Sequence, residues 1–280
     1  MLRTGRITPQ KDTAMNLEQH ENNGVVYFTA PVLDCPHAFS ARLGGVSTGV
    51  AAGLNLSARK VDQAENVREN WRRLAEATGM ELSRAVYATQ IHSRIVRVAK
   101  HADAQPPWEK ARFQCDGFVT NEPGLPLAVF MADCIPVLLQ DRAHGVIGAV
   151  HCGWRGSTAD ILGAAIEKMR SLGASIETIA AAVGPGIGPC CFEVGPEVVA
   201  AADRLLGGDT DGLVRPGEGD RSFLDLKRVN ARRLTQLGVD KARIAVSESC
   251  TKCAPELFWS HRTYSTRRGV MAAVIMLRAD

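Results

Sequence analysis

The 280-residue chain has no long apolar run, no block of basic charge, no regular cysteine spacing and only 5% aromatic residues, and each shortage removes a class of protein. Its longest apolar stretches, such as Leu125 to Ala132, fall far short of the roughly 20 residues that a membrane span needs. The 33 basic and 30 acidic residues leave a net charge of +3 with no basic patch, so the electrostatic footprint of a nucleic-acid binder is missing. Eight irregularly spaced cysteines, behind a polar and charged start, suggest reduced thiols in a cytoplasmic protein rather than a disulfide framework. Some of those thiols are then available as ligands or nucleophiles. No repeat or low-complexity linker divides the chain, and its length suits one large domain. The expectation is a disordered leader over residues 1–24 and a single compact domain over residues 25–280, with a Gly/Asp-rich stretch from Gly207 to Asp220.

Short β-branched runs between glycine-rich turns predict strands at 25–28, 85–89, 95–98, 117–120, 127–130, 136–140, 146–150, 179–183 and 244–246. Helical spacing of apolar residues predicts helices at 66–78, 157–172, 196–206 and 225–237. The βαβ alternation is imperfect, and several strands follow one another directly, as in "GFVTNEPGLPLAVF". The fold class is therefore α/β in the mixed α+β sense, with mixed sheets flanked by helices rather than a Rossmann arrangement.

Three soft or borderline ligands fall at three interruptions of strand pattern. His151 ends the run Val146 to Val150 before a helix that Ser157 or Thr158 can cap, a habitual place for ligands in α/β sheets. Cys134 lies in "MADCIPVLL", where Asp133 and Pro136 interrupt an apolar run, and His92 lies between two strand runs in "ATQIHSRIVRV". Two imidazoles and a thiolate can hold a tetrahedral zinc while leaving a position open for water. The same residues also suit a cysteine hydrolase, with Cys134 as nucleophile and His151 as base, or a blue-copper centre. Seven histidines are too few for a full laccase, which needs a trinuclear copper cluster besides its blue site. A non-enzymatic zinc-stabilised module would need Cys152 as its fourth ligand. "VGPGIGPCC" lacks the Lys and Ser/Thr of a phosphate-binding P-loop and reads as a shaping turn. The CxxC of Cys250 and Cys253 lacks a second pair at zinc-ribbon spacing, and vicinal Cys190 and Cys191 do not supply one, so these thiols read as packing residues or as supports behind another site.

The segments "FSARLGGVSTG", "GLNLS", "ENWRRLAEATG", "QIHS", "DGFVTNEPGLPLAVFMADCIPVLL", "AVHCGWRGSTADIL", "AAVGPGIGPCCFEVG" and "CTKCAPELFWSHR" occur in an order that resembles the laccase-domain purine nucleoside phosphorylase family, formerly labelled multicopper polyphenol oxidase. The resemblance runs from Phe39 to the C-terminus. It implies zinc held by His92, Cys134 and His151, with copper the second choice of metal, and it places Arg42 and Asn55 in nucleoside-facing motifs and Arg155 in the signature turn. It implies a fold shared with cysteine hydrolases. It further implies purine nucleosides and phosphate as partners, with adenosine, inosine and methylthioadenosine cleaved to base and ribose 1-phosphate, and adenosine deaminated at the same site. On that reading Cys134, His151 and Arg155 are the catalytic set.

Three departures stand out. Cys152 replaces the family's usual alanine, Trp71 replaces an arginine and packs a helix face on the sheet, and "SHRT" with "STRRGVM" blurs the family's C-terminal motifs. Deamination needs a proton shuttle, for which Asp133 and Glu193 are the candidates, whereas phosphorolysis needs cations on the phosphate dianion, which Arg42 and Arg155 can supply. Phe39, Trp154, Phe192, Phe258 and Trp259 lie in the motifs, where a purine can stack, although core packing accounts for most of them.

Overall fold

The computed structural model describes residues 16–57 and 61–279. Two sheets form its centre. A six-stranded sheet runs in the order Ile244–Val246, Ile179–Val183, Ile135–Asp141, Val146–Cys152, Gly117–Thr120 and Val96–Val98. Its inner pairs are antiparallel and both edge pairs are parallel, so the sheet is mixed, as the imperfect alternation predicted. A five-stranded antiparallel sheet runs in the order Glu18–Asn22, Val25–Thr29, His37–Ser40, Met271–Ile275 and Leu127–Met131.

Side-chain alternation assigns each face a partner. On Met271–Ile275, Met271, Ala273 and Ile275 join an apolar cluster that also contains Leu138, Ile147 and Ala149 of the six-stranded sheet. Ala272 and Val274 of the same strand instead meet Trp71 and Leu74 of the Ala64–Thr78 helix. Beyond the six-stranded sheet, Ile135, Val137, Leu139 and Val150 pack on the helices Ile161–Ser171, Pro196–Leu206 and Leu226–Gln236. The layers are therefore helix, sheet, sheet and helix. Strands covered on both faces have no polar side, which is why they read as continuous apolar runs.

Several elements differ from expectation for local reasons. Glu18–Asn22 falls within the stretch expected to be a leader, yet it pairs with Val25–Thr29 through a turn in which Asn23 and Gly24 both adopt positive φ. Its side chains are mostly exposed, so no apolar pattern announced it, and the remainder of the expected leader, residues 1–15, lies outside the described residues. The helix expected over 157–172 divides into Trp154–Thr158 and Ile161–Ser171. Asp160 sits between them at φ 65°, accepts from the Gly163 N–H and forms a two-point contact with Arg233. Asp160, not Ser157 or Thr158, is thus the side chain that caps the longer helix. Pro136 lies inside the Ile135–Asp141 strand rather than breaking it; it pairs opposite His151, and its carbonyl accepts from Gly184.

Trp71 packs as its helix position implies: it is 1% exposed, contacts Phe130 edge-on and donates its indole N–H to the Leu56 carbonyl at 2.9 Å. Trp71→Ala should lower the unfolding free energy by about 3–5 kcal/mol, as expected for removing a fully buried aromatic. Trp71→Phe should lose less, mainly the indole hydrogen bond. Chemical denaturation of the two variants checks the order.

Candidate metal centre and cavity

Sheet register brings the site together. Cys152 pairs with Ile135, His151 with Pro136, and Val150 with Gly117, while Val96 pairs with Gly117 on its other side. Cys134 and Asp116, each one residue before its strand, therefore meet His151 at one end of the sheet, and the loop before Val96 delivers His92. The donor atoms of His92, Cys134 and His151 all lie within 4.8 Å of one another.

Asp116 was not singled out by the sequence, although it directs the whole arrangement. It is 1% exposed and accepts the Nδ1–H of His151 at 2.9 Å. It also accepts the backbone N–H groups of Ile91, His92 and Ser93 and the Ser93 hydroxyl. Three successive N–H groups converging on one carboxylate hold His92 at φ 59°, a region that a non-glycine residue enters only with such support. Burial pushes the Asp116 carboxyl up, but the His151 and Ser93 hydrogen bonds outweigh it and hold it at about 2. The only signal for it in the sequence was an acid directly before a strand, in "CDGF".

With Nδ1–H committed to Asp116, His151 turns Nε2 toward Cys134. Burial opposes the Cys134 thiolate, yet the charge and hydrogen bond of His151 and the hydrogen bond of His92 outweigh it and lower the thiol's pKa. Cys134 Sγ stands 3.7 Å from His92 Nε2. One tetrahedral ion bound through both would separate such atoms by about 3.5 Å, given metal distances of about 2.0 Å for N and 2.3 Å for S. Gly153 completes the cradle: a Cβ there would meet His92 Cδ2 at 2.7 Å and Cys134 Sγ at 3.2 Å. The donors, the carboxylate behind one imidazole and the missing side chain all fit a soft or borderline cation.

Cys152 is not a fourth donor. It follows His151 on the strand, so it faces the opposite side, where it is buried among the apolar residues under the helices. The other five histidines contact Thr29, Cys35, Glu122, Asp141 and Ser265, the last of them through His261 at the wall of the neighbouring cavity, so no multinuclear histidine cluster forms among the described residues.

The donor set opens into a cavity of about 790 Å³. Arg155 reaches it with its guanidinium stacked over the Trp154 ring at 4.3 Å, and Arg262 and Arg268 contribute further charge. Among the aromatic candidates, Trp154 and Phe192 line it, whereas Phe39, Phe258 and Trp259 are core. Tyr87 and Trp108, which carried no motif signal, and Phe130 also form its wall.

Arg42 and Asn55 are not on the cavity wall. Arg42 donates to the carbonyls of Pro255 and Ala52 and lies over Trp259. Asn55 is fully buried and bridges Ser57, Asp62 and the Val270 N–H, which places Ser57 at the cavity. Asp133 does line the cavity, at φ 85°, but its carboxylate accepts from Thr251, Ser260 and the Arg262 N–H, so it braces loops. Glu193 lies away from the cavity wall, and its carbonyl accepts from Arg262.

A family profile described as multi-copper polyphenol oxidoreductase laccase matches residues 36–278. The chain is 43% identical over 254 residues to a purine nucleoside phosphorylase of Deinococcus radiodurans, covering 91% of this chain and 94% of that one. It is 35% identical over 239 residues to adenosine deaminase RL5 of an unknown prokaryotic organism, covering 83% and 90%. The crystal structure of YlmD from Geobacillus stearothermophilus matches with a TM-score of 0.88 at 32% identity, covering 95% of this chain and all of that one.

Asp116→Asn preserves shape but removes the charge behind His151 and one acceptor from the His92 turn. Metal affinity should fall by about 10- to 100-fold, in line with other partners that orient a ligating histidine. Competition of the purified variant against a chromophoric chelator measures the loss; unchanged affinity would show that Asp116 does not orient the donors.

Proposed function

The chain belongs to the multi-copper polyphenol oxidoreductase laccase family, and from that membership we propose that it is a zinc-dependent purine nucleoside phosphorylase with adenosine deaminase activity in the same cavity. The observation that carries this reading is the His92–Cys134–His151 donor set in the wall of a cavity that also presents arginines and flat aromatic rings. Relatives named purine nucleoside phosphorylase and adenosine deaminase support the two activities. Adenosine, inosine and methylthioadenosine are the proposed nucleosides, and phosphate is the second substrate.

His92, Cys134 and His151 hold the ion, which when bound supplies Lewis-acid polarisation and acidifies water. Asp116 keeps His151 in the tautomer that leaves Nε2 free to ligate. In phosphorolysis, phosphate attacks the anomeric carbon as the purine departs, so its charge needs fixed cations, and Arg155 and Arg262 are placed for that. Trp154 and Phe192 offer faces for the base. Arg42 and Asn55 act on substrate indirectly, by fixing the segment that ends at Ser57.

A cysteine-hydrolase reading has its own support: Cys134, His151 and Asp116 follow the order nucleophile, base and orienting acid. The second imidazole at 3.7 Å from the thiol favours the metal, because a hydrolase needs only one base there.

Incubation with adenosine should give adenine only when phosphate is present, and inosine without it; formation of neither product rejects both activities. In that assay Arg42→Ala, Asn55→Ala and Arg155→Ala should lower turnover without releasing the metal.

Removing the ion separates the two readings. Stripped protein should lose nucleoside cleavage, regain it with zinc, and become alkylated at Cys134 by iodoacetamide only while stripped, as peptide mapping would show. Full activity of stripped protein, abolished by alkylation of Cys134, would establish the hydrolase instead.

A further inference from the structure

Cys190, Cys191, Cys250 and Cys253 take no part in the cavity or its chemistry, and sequence spacing gave no reason to join them. The fold does join them: their sulfurs all lie within 4.8 Å of one another. The Cys253 sulfur is 3.4 Å from that of Cys190 and 3.4 Å from that of Cys191. Packing does not account for the group, since Cys190 and Cys253 are exposed and only Cys250 is buried. A disulfide accounts for two thiols at most per bond, and these separations are well beyond the roughly 2.05 Å of a formed S–S bond. One tetrahedral zinc with Zn–S near 2.3 Å would hold sulfurs about 3.8 Å apart, close to what is present.

The surroundings are those of thiolate ligands. The Gly188 N–H donates to Cys250 Sγ at 3.2 Å, and the N–H groups of Lys252 and Cys253 also point to that sulfur. A Cβ at Gly188 would meet Cys250 Cβ at 3.0 Å and Cys190 Sγ at 3.3 Å, so a side chain there would crowd the sulfurs. Lys227 is 3% exposed, donates to the carbonyls of Ser247 and Ser249, and lines a 290 Å³ cavity with Cys190 and Cys250. Asp225 and Glu248 line the same cavity and act on that ammonium, and four thiolates around a divalent ion add a net charge of −2 beside it.

We propose that Cys190, Cys191, Cys250 and Cys253 bind a single zinc ion as a structural tetrathiolate. Binding displaces the four thiol protons to solvent and involves no redox change. The ion staples the 184–192 loop, which sends Ile187 and Phe192 to the active cavity, to the 247–260 loop, which sends Thr251 and Ser260 to Asp133. The site is independent of the reaction assigned to the cavity.

Cobalt titration of the reduced, chelator-stripped full-length protein tests this, since Co²⁺ bound to four thiolates has intense sulfur-to-metal charge-transfer and tetrahedral visible bands. Wild type should take two equivalents. His92→Ala should keep one equivalent with the tetrathiolate spectrum, bleached by zinc, and zinc should raise its melting temperature. Cys253→Ser should lose that spectrum and that shift while keeping the other equivalent, and Cys190→Ser, also at an exposed position, repeats the test with folding checked by circular dichroism. A His92→Ala protein that binds no cobalt would overturn the proposal, as would a spectrum unaltered by Cys253→Ser. So would a mapped Cys190–Cys253 or Cys191–Cys253 disulfide whose reduction yields protein unable to take up cobalt in place of these bands.

Discussion

Five donors meet on the carboxylate of Asp116, and the placement of both imidazoles of the candidate donor set follows from that convergence. One carboxylate oxygen fixes the ring of His151, while the pair of oxygens together forces the His92 loop into a left-handed turn. Neither imidazole is positioned by its own segment alone. A buried carboxylate so fully hydrogen-bonded stays ionised, and its charge in turn sustains the dipole of the His151 ring behind the candidate donor set.

The two-sheet core makes that convergence stiff. Strands covered on both faces cannot slip by one residue without exchanging two apolar clusters, so the register that sets His151 opposite Pro136 is over-determined. Asp133 repeats the same device on the other side of Cys134. Its strained backbone is anchored by side chains from the C-terminal segment, so residues more than a hundred positions apart in sequence share the wall of one cavity.

Much of this was legible in the sequence wherever one residue type in one pattern carries the information. His92, Cys134 and His151 each lay at an interruption of strand pattern, and Trp71 sat on an apolar helical stripe. What remained hidden depends on pairing between distant segments. Asp116 is an ordinary acid until the register puts His151 beside it. Glu18–Asn22 has no buried face to leave a pattern, and Asp160 caps a helix from within a continuous apolar periodicity. Arg42 and Asn55 fall in motifs, but their partners are backbone carbonyls and loop polar groups that only the folded chain brings near. The vicinal Cys190 and Cys191 and the CxxC lie some sixty residues apart, joined by the parallel bridge between Gly186 and Cys250.

The two-residue period of the Val146–Cys152 strand has a chemical consequence for the neighbouring thiols. His151 faces the cavity and Cys152 faces the helices, where burial pushes its thiol far up. An oxidant or electrophile entering the cavity therefore encounters Cys134 without a resolving partner in reach. Joining Cys134 to Cys152 would require unzipping the pairing of Cys152 with Ile135. The alternation of a single strand thus insulates Cys134 from the commonest fate of two cysteines so near in space.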